Sequence, residues 1–417
     1  MKQCFVCASV LVLALGCSSS PPPPVTPAGA GGAAGSPAAH GGGGSSSVPA
    51  GGTTSSGGTA TTGGTPNVGV GGGGLVASGG SGGSAVGSAG SAGSLASAGA
   101  GGSAGGATGG GKPAYTCPSG SFTFAAPTGM ATKIAGAPPS DTFNKDAWTN
   151  VEGPVWIGDS LYFSEMTSSN MIPPSRILKI ATGGAVSVFA ADAGSNGLAV
   201  DGSGNLIAAV HKDGSISQIA LSGGAATPLV SMYMSKRFTS PNDLAIRSDG
   251  TIYFSDPSYQ NSANPQGAER LYRVTPPPTR TVSAIEGAPS PPNGVTLSPD
   301  EKTLYVAANN GGLKKFTVMS DGSLSAASDF VAGSGGDGMA VDCAGDLFVT
   351  GNGAATVRVY SPAGMLLTTI ALASGAGNTT NVAFGGTDHK TLYITAQGTE
   401  GQRGVYSIAL AVPGFPY

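Results

Sequence analysis

Acidic residues are missing from the first part of this chain: up to Lys112 it has no Asp and no Glu, and Gly, Ala, Ser, Thr and Pro dominate. Such a stretch has too little apolar area to offset the entropy of ordering it, which excludes a folded domain and predicts a flexible tether. Histidine is almost absent as well. Only His211 and His389 follow Lys112, so a three-histidine zinc site cannot be assembled and no convincing histidine-based triad is offered. His211, just after an apolar run, either faces a substrate or is a loop histidine; His389 lies in a turn and reads as solvated. The net charge is only −3 and no basic stripe occurs, which excludes nucleic acid as a partner. Helical periodicity is missing over any useful window, leaving an all-β reading.

No apolar run near the start is long enough to span a bilayer; residues 5–15, after Lys2, fit a secretory h-region instead. Residues 1–16 therefore read as a signal peptide. Ala14-Leu15-Gly16-Cys17, followed by serines, resembles a bacterial lipobox, in which the cysteine is diacylated and becomes the first mature residue. Residues 17–112 are then lipidated Cys17 plus a disordered tether, and residues 113–417 the folded part. The expected location is the bacterial cell envelope, with the N-terminal lipid as the sole membrane contact. The 95 residues from 18 to 112 would reach about 55 Å as Gly-rich coil. Cys4 and Cys7 leave with the signal peptide, so Cys117 and Cys343 remain as an even pair in an oxidising compartment and are expected to form a disulfide. Gly101-Gly-Ser103-Ala-Gly105 and Gly69-Val-Gly71-Gly-Gly-Gly74 match catalytic and nucleotide-binding patterns, but they lie in the tether with no strand or helix to position them.

What the folded part does have is a repeat. An acidic or amide residue, a short apolar run, a turn and a second apolar run recur from Glu152, Asn196, Asn242, Asn293, Asp337 and Asn381. These leading residues are spaced 44, 46, 51, 44 and 44 apart, the period of a propeller blade. Turn chemistry such as Asp201-Gly202, Asp249-Gly250 and Pro299-Asp300 joins the two runs, and further alternating runs supply a third and fourth strand. The expected fold is a six-bladed β-propeller of four-stranded blades. The last blade is one strand short, and residues 131–135 are the natural donor to its open edge.

Ring closure should gather the six leading residues around the axis. An Asn or Asp at a strand entrance often makes only a local turn. Glutamate is a poor turn residue, however, so Glu152, with the charge at Asp337, points to a cation. Two carboxylates among amides suit a hard ion such as Ca²⁺ and suit zinc or copper poorly.

At these residues the chain resembles the SMP-30/gluconolactonase family, calcium-dependent lactonases with six-bladed propellers. The matching stretches are Glu152-Gly-Pro-Val-Trp156, Arg237-Phe-Thr-Ser-Pro-Asn-Asp243, Asp249-Gly-Thr-Ile-Tyr-Phe-Ser-Asp-Pro257, Pro292-Asn-Gly294 and Gly336-Asp-Gly-Met339, in family order. Residues 263–267 find no match. The resemblance implies that Glu152, Asn293 and Asp337 hold a divalent cation, with Asn242 close to metal and substrate and Arg237 and Asp243 beside them. It also implies a small lactone as substrate, with Asp337 as the proton acceptor. A monomer is expected. The same channel in a non-catalytic propeller would instead bind a sugar, peptide or envelope partner around a structural cation. Pro154 and Trp156 read as packing residues.

Overall fold

Each repeat folds as the first two strands of an antiparallel four-stranded sheet. In blade one these are Asn150–Ile157 and Ser160–Met166, followed by Ser175–Ala181 and Val186–Ala190. Six such sheets occur in this computed structural model, which describes residues 115–134, 149–167, 175–309, 311–333, 335–351, 353–373, 377–399 and 401–415. Cys17 and the residues read from sequence as signal peptide and tether lie outside them. The first strand of every blade packs beside the first strands of its two neighbours, in order from blade one to blade six and back to one. The chain is therefore an all-β, six-bladed propeller with the repeated polar residues on its innermost strands.

Strand pairing slips beside the leading residue in four blades: between Glu152 and Val155, Ser195 and Leu198, Pro292 and Val295, and Thr379 and Asn381. A bulge leaves a residue unpaired and re-aims its side chain. In blades two and four it leaves Asn196 and Asn293 outside the blade's own ladder, whereas Glu152 and Asn381 stay paired with Ser164 and Thr395. The glycine that follows has a different cause. A Cβ on Gly197 would lie 2.6 Å from the Asn242 carbonyl oxygen, and one on Gly294 would lie 2.1 Å from that of Asp337. Gly197 and Gly294 donate their N–H groups to those same oxygens, at 2.7 and 3.2 Å. The polar-Gly pair is thus the contact between neighbouring inner strands.

The apolar core lies between blades. At the seam of blades six and one, Trp156 stacks on Tyr393 with ring centroids 5.5 Å apart, the packing role read from sequence. Between blades two and three, Phe238, Phe254 and Tyr272 pack together at 4.9–5.2 Å.

Blade six takes its outer strand from the other end of the chain. Thr132–Lys133 pairs antiparallel with Gly404–Ala409, Thr132 opposite Ser407. Within the expected 131–135 segment, Thr132 and Lys133 are thus the donor, whereas Ala131 bridges to Leu372 of blade five. A second closure lies at the end of the ring away from the leading polar residues. Cys117 and Cys343 form a disulfide there, Cys343 sitting in the turn between the first two strands of blade five. The chain's last described residues reach the same place, with Cys343 N–H donating to Pro413 O (2.8 Å) and Phe415 N–H to Val341 O (2.9 Å). Tyr115 lies against His389 at 4.3 Å and Phe415 at 5.7 Å. His389 is therefore half-buried under an aromatic ring, where the sequence reading had it solvated.

Candidate active site

Antiparallel pairing decides which segments surround the leading polar residues. Glu152 lies opposite Ser164 and Asn378 opposite Gln397, so the end of each second strand shares their end of the ring. A cavity of about 220 Å³ opens there, and Glu152, Asn196, Asn242, Asn293 and Asp337 all line it. Five residues from blades one to five, spread over 185 positions of sequence, thus meet at one wall. Asn381, the sixth, stands behind it, hydrogen-bonding the Glu152 and Asp243 carboxylates and accepting from Val382 N–H at 2.8 Å.

Asn242 is placed by a short ladder of its own. Its N–H donates to Ser255 O (2.9 Å), while Ser255 N–H donates to Asp243 O (3.0 Å). Upstream, the fully buried Asp256 carboxylate accepts from Thr239 N–H (2.9 Å) and Ser240 N–H (2.6 Å). Burial pushes that carboxyl up to about 6.

Arg237 and Asp243 do not line the cavity. The Arg237 guanidinium donates to the carbonyls of His211 (3.3 Å) and Lys212 (2.8 Å). The Asp243 carboxylate accepts from Val295 N–H of the next blade at 2.9 Å. Successive side chains of an extended strand point to opposite faces, so placing Asn242 at the cavity turns Asp243 away from it. His211 is not on this wall either. It is 2% exposed, neither ring nitrogen has a hydrogen-bond partner among the described residues, and burial lowers it to about 4, so it stays neutral.

The sequence reading missed Tyr259, Gln260, Asn309, Asn378 and Gln397, which complete the wall. For Asn309 and Gln397 a signal existed: each follows the second apolar run of its repeat, and pairing must bring that point beside the leading residue. Tyr259 and Gln260 belong to no repeated pattern. A larger cavity of about 370 Å³ lies at the opposite end, between turns 201–204 and 248–250. Its carboxylates are engaged within those turns, Asp201 with Ser203 and Asn205 and Asp249 with Arg247 and Thr251.

The electrostatics of the smaller cavity are unbalanced. Burial raises the Glu152 carboxyl well above its usual range, and Asp337 and Asp243 raise it further. Asp337 is likewise pushed up, by burial and then by Asp243, against one hydrogen bond from Asn293. The Oδ1 atom of Asn196 is buried without a hydrogen-bond partner among the described residues. Two carboxylates that repel one another, together with an orphaned amide oxygen, fit a hard cation with oxygen ligands. No group of three or more His, Cys, Asp and Glu side chains suited to a metal occurs among the described residues, so a cation here would depend on the amides too.

A profile of the SMP-30/Gluconolactonase/LRE-like region matches residues 151–398. A gluconolactonase of Zymomonas mobilis is 30% identical over 281 residues, covering 59% of this chain and 75% of that protein. Among solved structures, a gluconolactonase of Xanthomonas campestris is 28% identical, covers 69% of this chain and 100% of its own, and has a TM-score of 0.54. The calcium-binding protein regucalcin of Agrobacterium tumefaciens shares the fold at 19% identity and a TM-score of 0.53, over 68% of this chain and 96% of that one. Taken with the propeller and its ring of polar residues, these similarities establish that the chain belongs to the SMP-30/gluconolactonase/LRE-like family.

Proposed function

We propose that the protein hydrolyses a small lactone with the help of a divalent cation, Ca²⁺ first among candidates. It does so at the bacterial cell envelope, held by lipid on Cys17 and a tether over residues 17–112. One observation carries the chemistry: the buried Glu152 carboxylate, the half-buried Asp337 carboxylate and the amides of intervening blades wall a single small cavity. Family membership and the likeness to gluconolactonases support the substrate class.

Glu152, Asn293 and Asp337 would hold the cation, with Asn242 close by and Asn196 offering a further oxygen. When bound, such an ion polarises the lactone carbonyl and offsets the negative charge that develops on its oxygen. The remaining work falls to side chains. Asp337 accepts the proton of the attacking water and passes it to the ring oxygen as the ester bond opens. Its hydrogen bond with Asn293 fixes the direction of the carboxylate. Burial raises its basicity and ligation lowers it, so an oxygen free of the cation serves as the base. Asn242 orients the substrate, and the small cavity excludes bulky esters. Arg237 and Asp243 contribute by holding the segment around Asn242 and the neighbouring blade, without touching substrate.

The test is a panel of lactones assayed with chelator, then with Ca²⁺ restored, using wild-type protein and Asp337→Asn. Asparagine keeps an oxygen ligand but cannot accept a proton. Metal-loaded Asp337→Asn should lose about 10²–10⁴-fold in kcat. Near-normal turnover by that variant would eliminate Asp337 as the base, and activity insensitive to chelator would eliminate the cation.

A further inference from the structure

The leading residues of blades three and four stand 51 apart, against 44–46 elsewhere, and the extra chain has a definite location. The connection between the second and third strands of blade three spans residues 257–269, whereas in blade four it spans only 309–311. Because such connections lie at the end of the ring that bears the leading polar residues, this loop is delivered to the cavity, and Tyr259 and Gln260 line it.

The loop is held in place by many polar contacts. Ser240 Oγ–H donates to Gln260 Oε1 (2.6 Å) and accepts from Gln260 N–H (3.2 Å). Asn261 Nδ2 donates to Thr239 O (3.1 Å), and Thr239 Oγ1–H donates to Asn264 Oδ1 (3.1 Å). Gln266 Nε2 donates to the carbonyls of Lys236 (2.7 Å) and Arg237 (3.0 Å). Ser258 N–H and Oγ–H both donate to Glu269 Oε1, at 3.0 and 2.6 Å. Amid this satisfied network one group stands out. The Tyr259 hydroxyl is shut off from solvent and has no hydrogen-bond partner among the described residues. A buried donor left unmade costs free energy comparable to a lost hydrogen bond, so its persistence at a cavity wall calls for a partner.

We infer that Tyr259 is a substrate-contacting residue whose phenol donates a hydrogen bond to an oxygen of the bound lactone. The inference rests on the lactonase reading and adds a specificity element to it. The phenol lies close enough to Asp337 for the carboxylate to bear on it, and burial together with Asp337 and Glu269 holds it above its ordinary range. It therefore stays a neutral donor. With Gln260, Asn309, Asn378 and Gln397 on the same wall, the complementary substrate is small and rich in oxygen, a polyhydroxylated ring lactone rather than one bearing a long acyl chain. A ligand oxygen seated beside Tyr259 supplies the missing acceptor, and an analogue without an oxygen there leaves the donor buried and unpaired.

The experiment compares wild type with Tyr259→Phe on glucono-1,5-lactone, alongside thermal melting. The ring is kept, and only an oxygen with no protein partner is removed, so Tm should be unchanged or slightly raised. The expected result is a fall in kcat/KM of about tenfold, the value of one neutral hydrogen bond. Equal kcat/KM in the two proteins overturns the inference. So does a Tm that falls together with activity, because that would assign the hydroxyl to the protein's own bonding. If wild type opens no lactone, the functional reading fails separately, and the question passes to calorimetric binding of gluconate. Weaker binding by Tyr259→Phe then sustains the contact, whereas equal binding, or none by either protein, overturns it.

Discussion

Gly294→Ala tests the link between ring closure and chemistry directly. Gly294 does not have a left-handed φ, so alanine is excluded there by space alone. Its Cβ would stand 2.1 Å from the Asp337 carbonyl oxygen, and real Cβ contacts essentially never fall below 3.0 Å. The inner strand of blade five must therefore retreat by about 0.9 Å, or that of blade four must. Both strands carry a proposed cation ligand, Asn293 on one and Asp337 on the other. Overpacking of this kind costs about 1–3 kcal/mol, or about 2–5 °C in Tm for a domain of this size. The site should suffer more than the fold. A misplacement near 1 Å at reacting groups costs about a hundredfold in rate, so kcat should drop by that order while most of the protein remains folded at 25 °C. Calorimetry should show weaker Ca²⁺ binding in the same variant. An alanine variant with wild-type Tm, turnover and cation affinity would refute the reasoning, since the polar-Gly pair would then not set the distance between the two ligands.

Two further outcomes follow. The raised Asp256 carboxyl, about 6 against an ordinary 3.8, keeps its proton longer in the folded than in the unfolded state. Stability is then lost as pH rises from about 4 to about 6, by up to about 3 kcal/mol; Asp256→Asn cannot ionise, so wild-type Tm should fall relative to the variant between pH 4 and pH 7, and parallel curves would show that Asp256 is not the titrating group. Replacing Cys17 by Ser should move the protein from membrane to soluble fractions, and a variant still bound to membrane would place the anchor elsewhere.

The parts of the site legible in the sequence are those that repeat. Glu152, Asn242, Asn293 and Asp337 announced themselves because one position per blade recurs in phase, and ring closure turns phase into proximity. The adjacent glycines carry the same information, and the structure shows why: each lies where the next inner strand comes within contact distance. Arg237 and Asp243, expected beside the site, do not line the cavity. A two-stranded hairpin, Met232–Tyr233 with Lys236–Arg237, carries the arginine off to the carbonyls of blade two, and strand alternation turns the aspartate into the seam. Tyr259 and Gln260 were illegible for the opposite reason. Their loop is positioned by side-chain bonds to a distant hairpin, and no periodicity records such a bond.

The clasp of Cys117 onto Cys343 also determines how the ring bears load. A pull arriving at Tyr115 from the N-terminal side meets the disulfide before it meets the closing strand Thr132–Lys133. Tension is thus passed to a turn of blade five, at the end away from the cavity, and the two-residue strand that completes blade six is shielded from it. With the sulfurs reduced, the same pull would act on that short strand from its end and unzip its hydrogen bonds one after another. The covalent bond thus relieves the short closing strand of strain arriving from that side.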